Sequence, residues 1–555
     1  MAELAGLRIS RFRSIEDIRV VFPPGMPVVL FGQNNAGKSN ILKAFNIIMG
    51  EQYPKTVTLE ESDYFLRHTD NAIEISAHFR TPLSGQYREL RWKHQSDREP
   101  EQTTFEGLTT SGATRWPKND EREDCIVITI EADRNLKYQL SYASKYTMLS
   151  RLMHRFHHVL HQYEEIKDDL KKCFDKTKEA FAQIPEFREF SDALKGDFSS
   201  ALECWSYKLD IDFEAYNPLN FFHALRVQAK EGGDTRALEE LGTGEQQILA
   251  ISFAHAYAKA FKSGFILAIE EPEAHLHPLA QAWLAERIKS MCEDGLQFIL
   301  STHSPSFLDI LSLPGMHLVY KEDNVTRIRR HNTETLVRFC IERGANPKKC
   351  MNGAILPFYA ANSSEEILKG FFARAVVLVE GPTEALALPI YLKACGCDTK
   401  EKGIALIPSH GKGSIPRYIR LYEAYSIPTY AIFDNDPEDD GAGNKRKEII
   451  ETCGYNFEEW GWLVDIEEIY VGDKFAIFGQ DFEKSLRRQF EERGYEENEN
   501  TISEKFGPAK PLVAREVASL LVQGGIDDES WEPIRDLASK IAALVKKEET
   551  EEIPF

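Results

Sequence analysis

Five acidic residues follow a short apolar run near position 430. The stretch YAIFDNDPEDDG, residues 430–441, contains Asp434, Asp436, Glu438, Asp439 and Asp440. Carboxylates at the end of a buried strand can bind a divalent cation, whereas the same residues on an exposed loop would only be solvated. The first two acids end the apolar run and are candidate metal ligands. The last three follow Pro437, which predicts an exposed loop. An EF-hand calcium loop that starts at Asp434 is excluded. Such a loop needs glycine at its sixth position and glutamate at its twelfth, and this sequence has Asp439 and Lys445 there.

A phosphate-binding pattern lies near the N-terminus. The segment GQNNAGKS fits G-x-x-x-x-G-K-[ST], follows the apolar run MPVVLFG and precedes the helical pattern SNILKAFNIIMG. We expect loop N–H groups and Lys38 to contact the phosphates of ATP, and Ser39 to bind Mg²⁺. The predicted nucleotide-binding residues are Gly32, Asn34, Asn35, Ala36, Gly37, Lys38 and Ser39.

Two later apolar runs end in residues suited to ATP chemistry. In FILAIEEPEAHLHP the run ends in Glu270 and Glu271, and in FILSTHSP it is followed by His303. Glu270 is predicted to join the Mg²⁺ shell and Glu271 to orient the attacking water. His303 is placed to contact the γ-phosphate; the alternative is a histidine that only caps a turn.

A glycine-rich turn opens the apolar helix predicted in LGTGEQQILAISFAHAYA. Its first five residues resemble the L-S-G-G-[QE] signature of ABC-type ATPases of the SMC, Rad-fifty and RecF kind. The usual serine is Gly242 and the first glycine is Thr243. The resemblance implies that Gly242, Thr243, Gly244 and Glu245 contact ATP bound by a second subunit, and hence a homodimer. Only about 200 residues separate the two motifs, so a long-armed DNA tether is not expected.

The acids of the opening stretch have partners in a second α/β block. In AVVLVEGPTEALALPIYL an apolar run ends in Glu380, and Glu384 follows in a predicted helix. An E-G strand followed by a D-x-D strand resembles the Toprim fold. That resemblance implies adjoining strand ends, where Glu380, Glu384, Asp434 and Asp436 converge on Mg²⁺.

The combination of the two blocks resembles the OLD family of nucleases over nearly the whole chain. The resemblance implies a further acid and a lysine at Asp481 and Lys510, as a ligand of a second metal and a group that stabilises the pentavalent phosphate. Glu483 is a close rival to Asp481, and the alternative for Lys510 is a solvated surface lysine. The Gabija nuclease subunit belongs to the same broad group, which suggests a helicase-like partner in anti-phage defence.

The predicted ligands of the second block are all oxygen atoms, which suits Mg²⁺ or Mn²⁺. Two such ions would activate water and stabilise the leaving oxygen of a phosphodiester. Basic residues flank the acids and are candidate DNA contacts, or alternatively part of solvated loops. These are Lys412, Arg417, Arg420, Lys445, Arg446 and Lys447.

The elements that position these motifs predict an α/β chain: an ABC-type ATPase domain with a helical insertion, followed by a Toprim domain. We place the ATPase domain at residues 1–145 and 205–330, the insertion at 146–204, a linker at 331–370, the Toprim domain at 371–520, and a helix and tail at 521–555. The insertion has an apolar seam of three- and four-residue spacing, which fits dimerisation or a helical hairpin packed on its own domain. Residues 95–123 are polar and predict an exposed insertion.

Bulk properties limit the classes of partner. The 555 residues carry a net charge of −21, which excludes a surface that coats DNA generally and requires local basic patches or metal ions. The nine cysteines form no paired framework, and no apolar run approaches the length of a membrane span. We therefore expect a cytoplasmic protein with reduced thiols and no membrane partner, and the Gabija resemblance implies that it is prokaryotic.

Three functions fit these patterns. The first is an ATP-regulated, metal-dependent DNA endonuclease, which the intact acid set favours. The second is an ATP-switched DNA-binding protein of the RecF kind that lacks nuclease activity. A topoisomerase or primase is remote because the sequence lacks the added domains that those enzymes use.

Overall fold

The computed structural model describes most of the chain outside the predicted helical insertion. The described residues are 2–50, 52–96, 102–122, 124–130, 147, 149–150, 152–153, 156, 160, 163–181, 183–185, 229–231, 234–236, 242–261, 264–350, 353–436 and 443–545. They divide into two compact units, residues 130–265 and residues 2–129 with 266–555.

The first domain is built on a twelve-stranded sheet in the order β7-β6-β5-β4-β1-β2-β14-β13-β3-β12-β11-β8. The strands around β3 pair in parallel, as expected where crossover helices cover a sheet, whereas β1, β2 and β4–β7 form antiparallel hairpins. The strands are β1 (Glu3–Phe12), β2 (Ile15–Val21), β3 (Val28–Phe31), β4 (Ile73–Leu83), β5 (Tyr87–Gln95), β6 (Gln102–Thr109), β7 (Thr114–Arg115), β8 (Cys125–Ile130), β11 (Gly264–Glu270), β12 (Gln297–Thr302), β13 (Met316–Glu322) and β14 (Val325–Arg329).

The helices of this domain follow the predicted strands. They are α1 (Lys38–Met49), α2 (Asn119–Arg122) and α5 (Pro278–Glu293). Helix α1 buries Ile41, Leu42, Phe45 and Ile48 on one face, because apolar residues recur there at helical spacing. The predicted strand, loop and helix around the phosphate-binding pattern are therefore confirmed.

The prediction of an exposed insertion at residues 95–123 is wrong. Strand β6 pairs with β5 and extends the sheet, and its Phe105 is fully buried. The segment contains many polar residues because only alternate side chains of β6 face the core. Threonine also suits a half-buried strand, so polarity alone was a poor guide.

The unit of residues 130–265 contains few described elements. These are α3 (Glu164–Phe181), β9 (Ala229–Glu231), β10 (Asp234–Arg236) and α4 (Thr243–Phe261). On the predicted seam, Tyr163 and Ile166 are 55% and 52% exposed. Val159, another position of the predicted seam, and much of the predicted insertion lie outside the described residues.

Residues 331–370, predicted as a linker, hold four helices. They are α6 (Thr333–Glu342), α7 (Pro347–Cys350), α8 (Ile355–Asn362) and α9 (Glu365–Lys369). Tyr359 of α8 donates from its hydroxyl to Arg417 O at 2.9 Å, which ties this segment to the second domain.

The second domain has a five-stranded sheet in the order β16-β15-β17-β19-β18, of which only β18 is antiparallel. The strands are β15 (Ala375–Val379), β16 (Ile404–Pro408), β17 (Thr429–Asp434), β18 (Tyr470–Val471) and β19 (Phe475–Phe478). The helices are α10 (Pro382–Ala394), α11 (Ile415–Ala424), α12 (Asn444–Thr452), α13 (Phe457–Trp460), α14 (Phe482–Gln489), α15 (Tyr495–Phe506), α16 (Lys510–Gln523) and α17 (Glu532–Ala543).

The core of the second domain extends past the predicted boundary at residue 520. That position lies inside α16, and Ile534 and Leu537 of α17 are fully buried in one cluster with Val377 of β15. Among the described residues, no helix is long and apolar enough to cross a membrane. The eight cysteines in these residues are all free.

Candidate active site

The phosphate-binding loop connects β3 to α1 through three left-handed residues. Gly32, Asn35 and Gly37 have φ of 137°, 60° and 106°. A Cβ on Gly32 would lie 2.1 Å from Val319 O, so only glycine fits this position. The Thr326 hydroxyl donates to Ala36 O at 2.9 Å and fixes the loop from strand β14. The described part of the loop also includes Asn34, which is exposed.

Lys38 lies folded back on its own loop. Its ammonium donates to Gly32 O at 3.0 Å and to Gln33 O at 2.8 Å. Burial lowers the pKa of Lys38 to about 8, and the nearby carboxylates of Glu271, Glu273 and Glu270 oppose that shift. The loop carbonyls hold the ammonium at the place where the motif would receive phosphate.

Two neighbouring strands bring the other ATP-site residues to the same sheet edge. The Ser39 hydroxyl donates to Glu270 Oε1, so the two predicted Mg²⁺ contacts meet. Glu271 has a left-handed backbone and donates from its N–H to Ser301 O at 2.8 Å. His303 donates from its N–H to Glu273 Oε1 at 2.6 Å. Burial and the Lys38 charge lower the pKa of His303, which favours a neutral imidazole.

The signature-like helix begins where the sequence predicts. Helix α4 starts at Thr243, and Gly242 donates from its N–H to Glu245 Oε2 at 2.9 Å. This bond closes the first turn and leaves Glu245 exposed. Gly244 is in the first turn, and Leu241 lies outside the described residues.

The second domain brings Glu380 and Asp434 together at the carboxyl ends of β15 and β17. These strands are parallel neighbours, so residues that follow or end them share one edge. The Asp434 N–H donates to Glu380 Oε1 at 2.8 Å. Lys412 Nζ lies 3.7 Å from the same oxygen. The Asp434 carboxylate in turn accepts a hydrogen bond from the Phe482 backbone.

Glu384 and Asp436 complete this acidic edge. Glu384 is buried in the first turn of α10 and accepts from Gly381 N–H at 3.0 Å. Asp436 has a left-handed backbone and donates from its N–H to Gln480 O at 2.8 Å. Glu438, Asp439 and Asp440 lie outside the described residues.

Burial and mutual repulsion perturb three of these carboxyls. Burial raises the pKa of Asp434 well above its usual range, and the charges of Glu380 and Glu384 raise it further. Burial also raises the pKa of Glu380, which Lys412 partly offsets, and that of Glu384. The charged forms of these three carboxyls are therefore disfavoured in the absence of a compensating cation.

Asp481 and Glu483 occupy different positions at the start of α14. Asp481 caps the helix: it accepts from Lys484 N–H at 2.7 Å and pairs with Lys484 Nζ at 3.0 Å. Glu483 lies 3.9 Å from Lys510 Nζ, and its charge helps to raise the pKa of Glu384. Lys510 is 78% exposed at the start of α16. The structure thus places Glu483 and Lys510 where their charges act on Glu384. The Asp481 carboxylate instead contacts Lys484 in the first turn of α14.

The chemistry of this donor set fits a hard divalent cation. Glu380, Glu384, Asp434 and Asp436 offer only carboxylate oxygens. Burial is the main cause of the raised pKa of Glu380 and Asp434, and it makes their charged forms costly unless a cation compensates them. Within the described ranges, no three acidic, histidine or cysteine side chains form a group that could hold a metal ion as they stand.

Three of the six basic residues predicted to contact DNA are buried. Lys412, Arg420 and Arg446 are 3%, 3% and 4% exposed, so the prediction of a surface patch is wrong for them. Arg420 pairs with Glu448 at 3.0 Å, and Arg446 donates to Asn435. These two side chains are paired with acceptors inside the protein. The sequence pattern alone could not distinguish buried, paired basic residues from an exposed basic patch.

Two family models match the two domains. Residues 3–182 and 127–308 match the AAA ATPase domain, and these matches together span more than half of the 555-residue chain. Residues 371–436 match the TOPRIM domain of overcoming lysogenization defect (OLD) protein-like sequences. This range includes Glu380, Glu384, Asp434 and Asp436 of the acidic sheet edge. The chain belongs to the family of the AAA ATPase domain. It combines an AAA ATPase domain with an OLD-like TOPRIM domain.

Two curated OLD proteins are similar along most of their length. The OLD nuclease of Thermus scotoductus is 26% identical over 455 residues, which cover 78% of this chain and 82% of that protein. The Old nuclease of Escherichia phage P2 is 22% identical over 488 residues, which cover 81% and 80%. The similarity thus includes both domains of this chain.

SMC head domains are among the similar solved structures. An SMC head bound to the C-terminal winged-helix domain of ScpA is 18% identical, with a TM-score of 0.39, and covers 60% of this chain and 99% of its own. The SMC head domain from Thermotoga maritima is 14% identical, with a TM-score of 0.30, and covers 60% of this chain and 99% of its own. Since these TM-scores are low, the ATPase assignment rests on the family match.

Sequence reasoning missed three residues of these two sites. Thr326 fixes the phosphate-binding loop from a strand distant in sequence, and nothing local to it signals that role. Glu273 holds the His303 backbone, although its place in EEPE could have suggested it. Lys412 was assigned to a DNA-facing patch, while the two left-handed residues before it turn it toward Glu380.

Proposed function

We propose that this protein is a DNA endonuclease that uses Mg²⁺ or Mn²⁺ and is regulated by ATP. The observation that supports it most is the convergence of Glu380 and Asp434 on one sheet edge, with Glu384 and Asp436 beside them.

The residues divide into roles at the TOPRIM edge. Glu380, Glu384, Asp434, Asp436 and Asp481 would hold the ions, with Glu483 as the alternative to Asp481. Divalent ions held there would polarise the phosphodiester and lower the pKa of the attacking water. Lys510, near Glu483 on the opposite helix start, would stabilise the added negative charge of the pentavalent phosphate.

Regulation by ATP is supported by contacts between the two domains. The ring of Phe31, the last residue before the phosphate-binding loop, lies 5.8 Å from that of Phe371 and 6.0 Å from that of Tyr425. His331 donates to Ala424 O at 2.7 Å. A change at the loop therefore has a packed route into the helix and strand that precede the acids.

The wider setting of this activity is also part of the proposal. Two chains would form a homodimer in which Gly242, Thr243, Gly244 and Glu245 of one contact ATP on the other. The protein would act in the prokaryotic cytoplasm in anti-phage defence or DNA processing, and a helicase-like partner would follow from the Gabija resemblance.

A plasmid assay tests the proposed activity. Supercoiled plasmid is incubated with the protein in Mg²⁺, Mn²⁺ or EDTA, each with and without ATP. We expect nicked or linear DNA with metal, none with EDTA, and loss of cutting in Glu380→Ala. Intact plasmid in every condition, together with ATP hydrolysis, would favour the alternative of an ATP-switched DNA-binding protein.

A further inference from the structure

Lys412 is a buried ammonium that donates no hydrogen bond within the described part of the chain. Its side chain is 2% exposed, and its Nζ is among the buried polar atoms without a hydrogen-bond partner. A buried lysine without such a partner is costly unless nearby charges compensate it. The ion pair with Glu380 at 3.7 Å is the contact that the structure gives it.

The backbone before Lys412 is built to turn this residue inward. His410 and Gly411 have φ of 58° and 109°, two successive left-handed conformations after β16. Gly411 donates from its N–H to Glu380 O at 2.9 Å, and Ser409 donates to Val379 O at 2.8 Å. Glycine adopts a positive φ without strain, but histidine does not, so the conformation of His410 must be fixed by surrounding contacts; residues of this kind cluster at functional sites.

We propose that Lys412 is a positioning residue of the TOPRIM site: a fixed cation that holds Glu380 and limits the net negative charge seen by the metal ions. This inference rests on the proposed function for its effect on cutting. Its effect on metal affinity and stability does not depend on DNA.

The sign of the effect follows from electrostatics. An ammonium beside a metal ligand repels a divalent cation, so removing it should tighten metal binding, by about tenfold or more for a separation of ~5 Å in a partly buried site. Removing the Lys412 ammonium also leaves Glu380 without its ion-pair partner. It makes the site more negative, at the place where negative charge builds up in the transition state of phosphodiester cleavage. Cutting should therefore become slower at saturating metal.

The experiment compares Lys412→Met with wild type and with Lys393→Met, an exposed lysine of the same domain that is 71% exposed. Free Mn²⁺ is followed by electron paramagnetic resonance at pH 8 without nucleotide, and Glu380→Ala identifies the signal from the TOPRIM edge. Plasmid cutting is then measured at saturating Mn²⁺. We expect Lys412→Met to bind Mn²⁺ at least tenfold more tightly and to cut at least tenfold more slowly, with Lys393→Met like wild type.

Each other outcome overturns the proposal. If Lys412→Met binds Mn²⁺ as tightly as wild type or more weakly, Lys412 does not act as a fixed cation. If this variant cuts plasmid at the wild-type rate, Lys412 does not position Glu380. Lys412→Gln is made in parallel. If neither variant folds even with Mn²⁺, the proposal fails, because a divalent ion should replace the missing positive charge. If the wild-type protein does not cut DNA, the proposed function is wrong. The Mn²⁺ titration of Lys412→Met then decides alone whether Lys412 acts as a fixed cation.

Discussion

Lys38 is the residue whose environment gives the clearest pH dependence. Its pKa of about 8 means that about half of the Lys38 ammonium groups have lost their proton at pH 8. Bound phosphates favour the charged form, so ATP binding above pH 8 must take up a proton. We expect affinity for a non-hydrolysable ATP analogue to fall as pH rises from 8 to 9, by up to about tenfold per pH unit. Calorimetry in buffers of different ionisation enthalpy checks the proton uptake; equal affinity at pH 7 and 9 would contradict it.

The raised pKa of Asp434 predicts that folding stability falls as the pH rises. Its pKa in the folded protein is raised above the unfolded value, so the folded state favours the protonated acid. That contribution is present below the unfolded pKa and is lost as pH rises through the folded pKa. Without metal at pH 8, Asp434→Asn should therefore unfold about 1–3 °C higher than wild type.

The advantage of Asp434→Asn should disappear near pH 4, and Mn²⁺ should stabilise wild type more than the variant. Asp473→Asn, an exposed acid of the same domain, is the control and should match wild type. Scanning calorimetry at both pH values makes the comparison. A variant that is less stable than wild type at pH 8 without metal would show that the buried charge is not a cost.

At the scale of elements, the start of α14 decides which acid serves the metal. Asparagine caps a helix as well as aspartate, so Asp481→Asn should keep the hydrogen bond to Lys484 and leave the unfolding temperature within about 1 °C. We expect its plasmid cutting to fall at least tenfold because the carboxylate charge is lost. Glu483→Gln is the matched variant. Full activity in Asp481→Asn, together with an inactive Glu483→Gln, would transfer the metal role to Glu483.

Elements were predictable where a local pattern fixes them. The phosphate-binding loop lies between an apolar strand and an amphipathic helix, and both are confirmed. The ends of β15 and β17 were also predictable, because uninterrupted apolar runs stop at Glu380 and Asp434. The placement of Lys412, Arg420 and Arg446 was not, since whether a cation is buried depends on acids far away in sequence. Nor could spacing distinguish Asp481 from Glu483, because the start of α14 sets their directions.

At the scale of the whole molecule, the aromatic contact between the domains should carry the effect of ATP. Phe371 is buried and packs edge-on against Phe31, Tyr422 and Tyr425. Phe371→Ala should cost about 3–5 kcal/mol of unfolding free energy through the cavity it leaves. It should also reduce the difference in cutting with and without ATP. Phe506→Ala, a phenylalanine that is 49% exposed, is the control. Unchanged regulation in a folded Phe371→Ala protein would rule out this route.

One measurement tests the central claim that the TOPRIM edge cuts DNA and the ATPase domain regulates it. Plasmid cutting and ATP hydrolysis are measured on the same preparations of wild type, Glu380→Gln and Lys38→Ala. We predict that Glu380→Gln hydrolyses ATP like wild type and leaves the plasmid intact, whereas Lys38→Ala loses ATP hydrolysis and cuts at a rate that no longer responds to ATP. A Glu380→Gln protein that cuts the plasmid at the wild-type rate would contradict the account.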